Sequence, residues 1–230
     1  MIHAVLTIDD GPSRITRELL AYLGEHGICP VLFFEGSHIE QRFGDAVYAV
    51  QQGAIAGNHT YSHGHLSELT YEEAVEEIAR TELLLDRVYQ EAGILRVHKP
   101  FRFPYGDLGG KNAEKLQKYL RENCYEKIDD HAITQPWYVE QGFYENMDVA
   151  ITFSFDEWRS HQDGTTLKQI IHETDLLKRN NMCPIFEENT RHIVLIHDHP
   201  QTDVCIPGYY RILIGHLLER GVQFTAPGFI

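Results

Sequence analysis

The sequence predicts an α/β fold, and more narrowly a closed barrel of seven or eight β/α units. Short apolar runs alternate with longer amphipathic stretches along the 230 residues, which is the pattern of a parallel sheet covered by helices. Seven or eight such units favour a closed barrel over an open sheet. No repeat, low-complexity tract or interdomain linker interrupts the series, so we expect one domain over residues 1–230.

Apolar runs are expected to form the strands of this barrel. They cover residues 2–8, 31–34, 54–56, 98–101, 149–155, 192–196 and 222–225. Because parallel strands all end at the same edge, polar residues that directly follow these runs are expected to meet there.

Amphipathic stretches between the runs predict the helices. They cover residues 14–26, 40–52, 70–92, 111–122, 165–180 and 208–220. Thr70 and Glu73 predict a capping box at the start of the third helix, and Gly93 predicts its end. Ser13 is expected to cap the first helix. Residues 124–148 break the alternation and are interpreted as an irregular insertion near the active face.

Composition narrows the classes of partner and location. Lys plus Arg is 20 and Asp plus Glu is 34, giving a net charge of −14, which argues against nucleic acid and anionic membranes as main partners. No apolar run is long enough for a membrane span, and no signal peptide is visible at the start, so the expected protein is cytoplasmic or has had its leader removed. The four cysteines form no CxxC pair and are interpreted as reduced and mostly buried.

Two adjacent acids, Asp9 and Asp10, end the first apolar run just before a Gly-Pro turn. Ionised carboxylates beside a core are costly unless a metal or a cation compensates them. Neighbouring strand residues point in different directions, so the two acids suit two jobs, such as holding a metal and moving a proton. A simple turn at the strand end explains the same residues.

Other chemistry-bearing residues follow later strands. His59 and His63 are four residues apart, a spacing that lets two imidazoles reach one ion, and a carboxylate would complete a catalytic metal site. Arg102 follows the fourth run and could hold Asp9 by a two-pronged hydrogen bond. His197 follows the sixth and could protonate a leaving group, with Asp156 as the carboxylate that keeps it charged. Structural histidines and an ordinary salt bridge are the alternative explanations.

Taken in order, these motifs resemble one family. The motifs are Thr-Ile-Asp-Asp-Gly-Pro-Ser at 7–13, His-Thr-x-x-His at 59–63, Arg-x-Pro-Tyr-Gly at 102–106 and Leu-x-His at 195–197. The chain is similar to NodB-homology polysaccharide deacetylases, the carbohydrate esterase family 4 type, over roughly residues 5–200. Four motifs in order are far more specific than any one of them.

The resemblance implies a distorted barrel, usually of seven strands, and a divalent metal, most often Zn²⁺, with Co²⁺, Ni²⁺, Mn²⁺ or Fe²⁺ as alternatives. By position it implies Asp10, His59 and His63 as metal ligands. The implied base is Asp9, oriented by Arg102, and the implied acid is His197. Asp156 is implied as the partner of that acid, and Tyr105 and Trp158 as oxyanion and substrate contacts.

Three departures from the family pattern concern the pocket. Gly64 and Phe103 stand where the family usually has proline. The segment before Trp158 fits its motif loosely, so that Asp156 or Ser154 takes the acid-partner position according to the alignment. These departures put the tuning of the acid and the shape of the pocket in question.

The expected activity is metal-dependent hydrolysis of an N-acetyl group on an amino sugar. Another amide hydrolase on the same scaffold, such as a deformylase or a cyclic ureide hydrolase, is the nearest alternative. A non-catalytic sugar-binding relative is a weaker one, because the base and the acid are both present. Aromatic residues of the insertion could stack on sugar rings, although covering the barrel is slightly favoured.

Overall fold

The computed structural model describes residues 1–176 and 183–230. Within them, six parallel strands form one sheet in the order β3-β2-β1-β5-β4, and β6 pairs with the start of β1. The strands are β1 Ile2–Gly11, β2 Val31–Phe34, β3 Ile55–Asn58, β4 Phe153–Ser154, β5 Arg191–His197 and β6 Val222–Phe224. The α/β class predicted from the alternation is therefore confirmed.

Helices follow most of these strands. They are α1 Thr16–Glu25, α2 Gly36–Gln41, α3 Phe43–Gln51, α4 Tyr71–Ala92, α5 Ala113–Glu122, α6 Pro136–Glu140, α7 Arg159–Gln162, α8 Leu167–Thr174, α9 Pro200–Cys205 and α10 Tyr209–Glu219. None of the described helices combines the length and apolar character that a membrane span needs.

The predicted fourth strand exists as an extended segment that links the two ends of the sheet. On one side it pairs with Asn58 at the end of β3. Asn58 N donates to Pro100 O at 2.9 Å, and Arg102 N donates to Asn58 O at 3.0 Å. On the other side, Val149 N donates to Phe101 O at 2.8 Å, and Thr152 N donates to Ile193 O at 3.0 Å. These bonds complete a ring from β3 round to β5, which is a distorted barrel.

Side chains alternate between the inside of this ring and its outside. Val5, Val31, Phe33 and Ile193 share an inner apolar cluster. Their neighbours in β1, β2 and β5 belong to the larger cluster that packs against the helices; Leu6, Leu32, Phe34, Val194 and Ile196 are examples. The period of two that strand geometry imposes thus decides which residues can reach the centre of the barrel.

Helix α4 begins and ends as its sequence predicts. The Thr70 hydroxyl accepts a hydrogen bond from Glu73 N at 3.2 Å, and the Glu73 carboxylate accepts one from Thr70 N at 2.8 Å. Gly93 follows the helix in the left-handed region, with φ 69°. Glycine has no Cβ to clash in that conformation, so the residue type is explained by the backbone.

Several element predictions were wrong. Ser13 does not cap α1, which begins at Thr16; its hydroxyl donates instead to Asp198 Oδ1 at 2.6 Å. The stretch 40–52 is part of two helices that meet at Arg42. Short helices α7 and α9 were not predicted. The predicted helix over 165–180 is α8 as far as Thr174, and residues 177–180 lie outside the described residues.

The four cysteines are free, as predicted. The prediction that most are buried was wrong, because Cys124 and Cys205 are exposed and only Cys183 is classed as buried.

Candidate metal centre and active site

Polar residues collect at the carboxyl edge of the barrel. Three of them lie two or four residues after an inner residue: Asp9 after Val5, Glu35 after Phe33 and His197 after Ile193. His59 lies two residues after Gly57, which pairs with the inner residue Phe33. The side chains of Asp9, Glu35, His59 and His197 therefore continue the inward alternation of the strands. All four line a cavity of about 950 Å³. The convergence that the strand ends predict is therefore observed.

Asp10, His59 and His63 form the centre of this cavity. Asp10 Oδ1 lies 3.2 Å from His63 Nε2 and 3.5 Å from His59 Nε2, and the two imidazole nitrogens are 3.2 Å apart. The Asp10 Oδ1 atom is buried and accepts no hydrogen bond from the described residues. Two imidazoles and one carboxylate converging on one point are the ligand types that zinc takes in catalytic sites, so this donor set fits a divalent metal.

Hydrogen bonds from outside the centre hold two of these three residues. His59 Nδ1 donates to the carbonyl oxygen of Arg102 at 2.8 Å, which leaves its Nε2 lone pair directed at the centre. His38 Nδ1 donates to the carbonyl oxygen of Asp10 at 2.7 Å. Asp10 has φ 69° and His63 has φ 57°, conformations that non-glycine residues adopt at a cost. Outer contacts of this kind fix the orientation of metal ligands.

The charges of the centre shift its pKa values. Burial raises the pKa of Asp10, but the adjacent His59 and His63 outweigh it, and the pKa lies well below its usual value. Burial lowers the pKa of His59, but the charges of Asp9 and Asp10 outweigh it, and the net shift is upward. Both shifts follow from the attraction between these carboxylates and imidazoles.

Asp9 is held beside this centre by Arg102. Arg102 Nη1 donates to Asp9 Oδ1 at 2.7 Å and to the Thr7 hydroxyl at 2.9 Å, and Arg102 Nε donates to Val149 O at 2.9 Å. The guanidinium lies over the ring of Phe33 at 4.3 Å. The other carboxylate oxygen, Oδ2, lies 3.7 Å from His59 Nε2. One oxygen of Asp9 is thus anchored, and the other faces the centre.

The partner of His197 is Glu157, and the expectation that Asp156 takes this position was wrong. Glu157 Oε1 accepts from His197 Nδ1 at 2.9 Å and from its backbone N–H at 2.6 Å. Glu157 is fully buried, and its charge outweighs burial and raises the pKa of His197 to about 10. The imidazole is therefore held as a cation.

Backbone geometry explains this correction. Asp156 lies in the left-handed region, with φ 54°, and its Oδ1 accepts a hydrogen bond from the Ser154 hydroxyl at 2.7 Å. At this turn Asp156 contacts the Ser154 hydroxyl, while Glu157 contacts His197. Glu157, directly before Trp158, was the acidic residue that sequence reasoning missed; its place next to the tryptophan was the available signal.

Asp198 faces the opposite side of β5 from His197. Its carboxylate accepts hydrogen bonds from Ser13 N at 3.1 Å, from the Ser13 hydroxyl at 2.6 Å and from the Thr16 hydroxyl. Asp198 N donates to Asp9 O at 2.8 Å. Burial raises the pKa of Asp198. A Cβ on Gly11 would come within 2.8 Å of this carboxylate, so glycine is needed where the first motif packs against the last.

The remaining predicted residues lie at the rim of the cavity. Tyr105 has φ 58° and a side chain that is mostly exposed, and its ring lies 4.5 Å from that of His63. Trp158 also lines the cavity. Of the insertion aromatics, Tyr138 is buried, whereas Trp137 and Phe143 line the cavity. The insertion therefore both covers the barrel and forms a wall of the site.

Comparisons with known proteins agree with this geometry. The family model described as polysaccharide deacetylase matches residues 2–124. A peptidoglycan-N-acetylglucosamine deacetylase of Bacillus cereus is 34% identical over 137 residues, which is 59% of this chain and 46% of that protein. A chitin deacetylase of Cryptococcus neoformans is 35% identical over 45% of this chain and 21% of its own length. The chain thus matches less than half of the length of these curated relatives.

Solved structures show the same fold. A peptidoglycan N-acetylglucosamine deacetylase in complex with a naphthalenyl N-oxidanyl-benzamide superposes with a TM-score of 0.67 at 23% identity, covering 97% of this chain and 85% of that one. A family 4 carbohydrate esterase from Streptomyces lividans in complex with acetate gives a TM-score of 0.60 at 21% identity, covering 98% and 92%. With the family match over more than half of its residues, the chain belongs to the polysaccharide deacetylase family.

Proposed function

We propose that this protein is a metal-dependent N-deacetylase of carbohydrates that carry N-acetylhexosamine, with residues 1–230 acting as one catalytic domain. One observation carries the proposal. The Asp10–His59–His63 ligand set, the anchored carboxylate of Asp9 and the cationic imidazole of His197 all line one cavity. A metal site, a base and an acid in one cavity are the parts that metal-assisted amide hydrolysis needs.

The ligand set would hold the metal through one oxygen of Asp10 and the Nε2 atoms of His59 and His63. When bound, a divalent ion such as Zn²⁺ supplies Lewis acidity toward the acyl oxygen and the attacking water. The Oδ2 atom of Asp9 removes a proton from that water, while Arg102 keeps the carboxylate oriented.

The acid completes the reaction at the nitrogen. The water oxygen bonds to the acyl carbon, and the C–N bond breaks as His197 gives its proton to the leaving nitrogen. The backbone N–H of Tyr105 is proposed to bind the developing oxyanion, and Trp158 is proposed to contact the substrate. The products are acetate and a free amino sugar.

Another amide hydrolase activity is the second candidate. Phe103 replaces a proline of the family pattern and lines the cavity, where it packs against Phe101 with ring centroids 4.7 Å apart. A changed wall is compatible with a changed acyl group or a cyclic amide. Parallel assays with N-formyl sugars and cyclic ureides separate this candidate from deacetylation.

Acetate release from N-acetylglucosamine oligomers tests the main proposal. With Zn²⁺-reconstituted protein, we expect Asp9→Asn and His197→Ala each to lose on the order of a hundred- to ten-thousandfold in rate, the range for general acid–base groups. Asp129→Asn and His131→Ala, at exposed positions outside the cavity, are the matched controls. Undiminished release in both active-site variants contradicts the proposal.

The substrate source remains a prediction from the sequence. The relatives named above act on peptidoglycan or chitin by their names, and soluble or lipid-linked N-acetylhexosamines are the other sources that we propose to test. An assay panel of monomeric, oligomeric and lipid-linked substrates distinguishes these sources, and Zn²⁺, Co²⁺, Ni²⁺, Mn²⁺ and Fe²⁺ are compared in the same assay.

A further inference from the structure

The cavity contains an additional carboxylate that the proposed reaction does not use. Glu35 directly follows β2 and continues the inward alternation of Val31 and Phe33. It lines the same cavity as the metal ligands. Its side chain is 10% exposed, so an acidic group lies almost entirely out of bulk water beside the reaction centre.

The carboxylate of Glu35 is unusual because nothing in the described residues donates a hydrogen bond to it. Its nearest ionic partner is His38, whose Nδ1 lies 3.5 Å from Oε1. That nitrogen already donates its proton to the carbonyl oxygen of Asp10 at 2.7 Å. A carboxylate that lines a cavity and receives no hydrogen bond from the described residues is available to accept one from a bound ligand.

Backbone contacts hold Glu35 in place. Its N–H donates to Gly11 O at 3.0 Å, and its carbonyl oxygen accepts from Ile39 N at 3.0 Å. The first bond ties the residue to the end of β1, close to Asp10. A preorganised acceptor needs little further ordering when a substrate binds.

Glu35 lies near the metal ligands but is not one of them. The three ligand atoms that converge belong to Asp10, His59 and His63. Burial raises the pKa of Glu35, and the charges of His38, His63 and Asp10 also act on it. Because Glu35 N bonds to Gly11 O, next to Asp10, and the side chain lines the same cavity, the carboxylate lies beside the centre where the acetamide is proposed to bind.

We propose that Glu35 accepts a hydrogen bond from a hydroxyl group of the sugar whose acetamide is cleaved, and so makes the site selective for sugars over other acetyl compounds. The inference rests on the proposed function. A site built to bind a hydroxyl rejects an analogue that lacks it far more strongly than an apolar pocket does, because the buried acceptor stays unpaired.

Two variants and two substrates test this role. Glu35→Ala should lower kcat/KM for an N-acetylglucosamine trimer by roughly ten- to a hundredfold, the size of a hydrogen bond to a charged group. Glu35→Gln should lose less, because its amide oxygen still accepts. Hydrolysis of 4-nitrophenyl acetate, which has no hydroxyl donor, should stay unchanged in both variants, and so should Zn²⁺ affinity measured by calorimetry. Glu40→Ala and Glu40→Gln are matched controls, because Glu40 lies on α2 outside this cavity.

Deoxy sugars make the test independent of how well Glu35→Ala folds. Among the 3-, 4- and 6-deoxy analogues of methyl N-acetylglucosaminide, one should react more slowly than the parent sugar with the wild-type protein. For this analogue, the loss of rate relative to the parent sugar should be smaller in Glu35→Gln than in the wild type, because the hydrogen bond is already weakened in the variant. Equal losses in the wild type and in both variants, for every analogue, overturn the proposal.

Other results also separate the two proposals. If the wild type deacetylates the trimer and Glu35→Ala does so equally well, this inference is overturned and the proposed function stands. A parallel loss of Zn²⁺ affinity overturns it in favour of a metal-binding role for Glu35. A wild type that cleaves the aryl ester but no sugar overturns both proposals.

Discussion

The two halves of the site are built differently. The metal half rests on β1, β2 and β3, which pair in regular parallel register as far as Asn58, apart from one register shift near the end of β1. The acid half rests on β5 and on β4, which has only two residues and is followed by a left-handed turn at Asp156. Side chains on regular strands lie where the alternation of strand residues predicts. The partner of His197, which follows the short strand and its turn, does not.

The difference also appears in how each half treats its charges. In the metal half, Asp10 gathers two imidazoles around an oxygen that is buried and accepts no hydrogen bond in the described chain. In the acid half, Glu157 Oε1 forms an ion pair with His197 at 2.9 Å, while its buried Oε2 accepts no hydrogen bond in the described chain. The first arrangement would be completed by a cation from outside, and the second already contains its own ion pair.

Removing a metal ligand should have the largest effect. His59→Ala deletes one of three converging ligand atoms, so we expect loss of stoichiometric Zn²⁺ and of measurable deacetylation. Metal content by atomic emission after gel filtration checks the first result, and acetate release checks the second. Exposed His131→Ala is the control, and full Zn²⁺ retention in His59→Ala would contradict the proposed ligand set.

Removing the partner of the acid should change the pH profile. The charge of Glu157 raises the pKa of His197 to about 10, so the ion pair favours the protonated imidazole. Glu157→Gln removes this charge and lowers the pKa, and the alkaline limb of kcat should move to lower pH. Asp156→Asn should move the limb less. Both are measured with the same metal bound, because its charge also lowers the pKa of His197; a larger shift in Asp156→Asn would restore the original expectation.

The sequence was sufficient for the fold class and for the metal half. Alternating apolar and amphipathic runs predicted β1, β2, β5 and α4, because strand and helix periods are local properties. The positions of Asp9, Asp10, His59 and His63 followed from the common edge at which parallel strands end.

The acid half could not be predicted in the same way. The choice between Asp156 and Glu157 as the partner of His197 depends on the positive φ of Asp156 and on its hydrogen bond from Ser154. No periodic pattern in the sequence indicates either feature. The two-residue length of β4 is set by its pairing with β5, a long-range contact. Glu35 was missed for a different reason: it belongs to no motif, and only the register of β2 shows that it faces inward.

Removing an outer contact of the metal half should have a moderate effect. His38→Ala deletes the hydrogen bond to the carbonyl oxygen of Asp10, so the left-handed backbone of this ligand loses a support. Loss of such an outer partner typically weakens metal binding about ten- to a hundredfold, and we expect the lower part of this range. Competition with a chelator measures the affinity, and unchanged affinity would show that the Gly11–Ser13 turn alone fixes Asp10.

The smallest effects should come from removing the N-cap threonine of one helix beside each half. Thr70 begins α4, which lies beside β3, and Thr166 begins α8; both form capping boxes. Loss of an N-cap costs about 1 kcal/mol, so Thr70→Ala should lower the free energy of unfolding in urea by about this amount. Thr166→Ala should cost less, because its bond from Gln169 N is 3.4 Å long against 3.2 Å for Glu73 N, and α8 is much the shorter helix.

Neither threonine lines the cavity, so kcat should stay unchanged in both variants. A fall in kcat for Thr166→Ala alone would mean that the acid half, with its short strand, depends on its supporting helix in a way that the metal half does not.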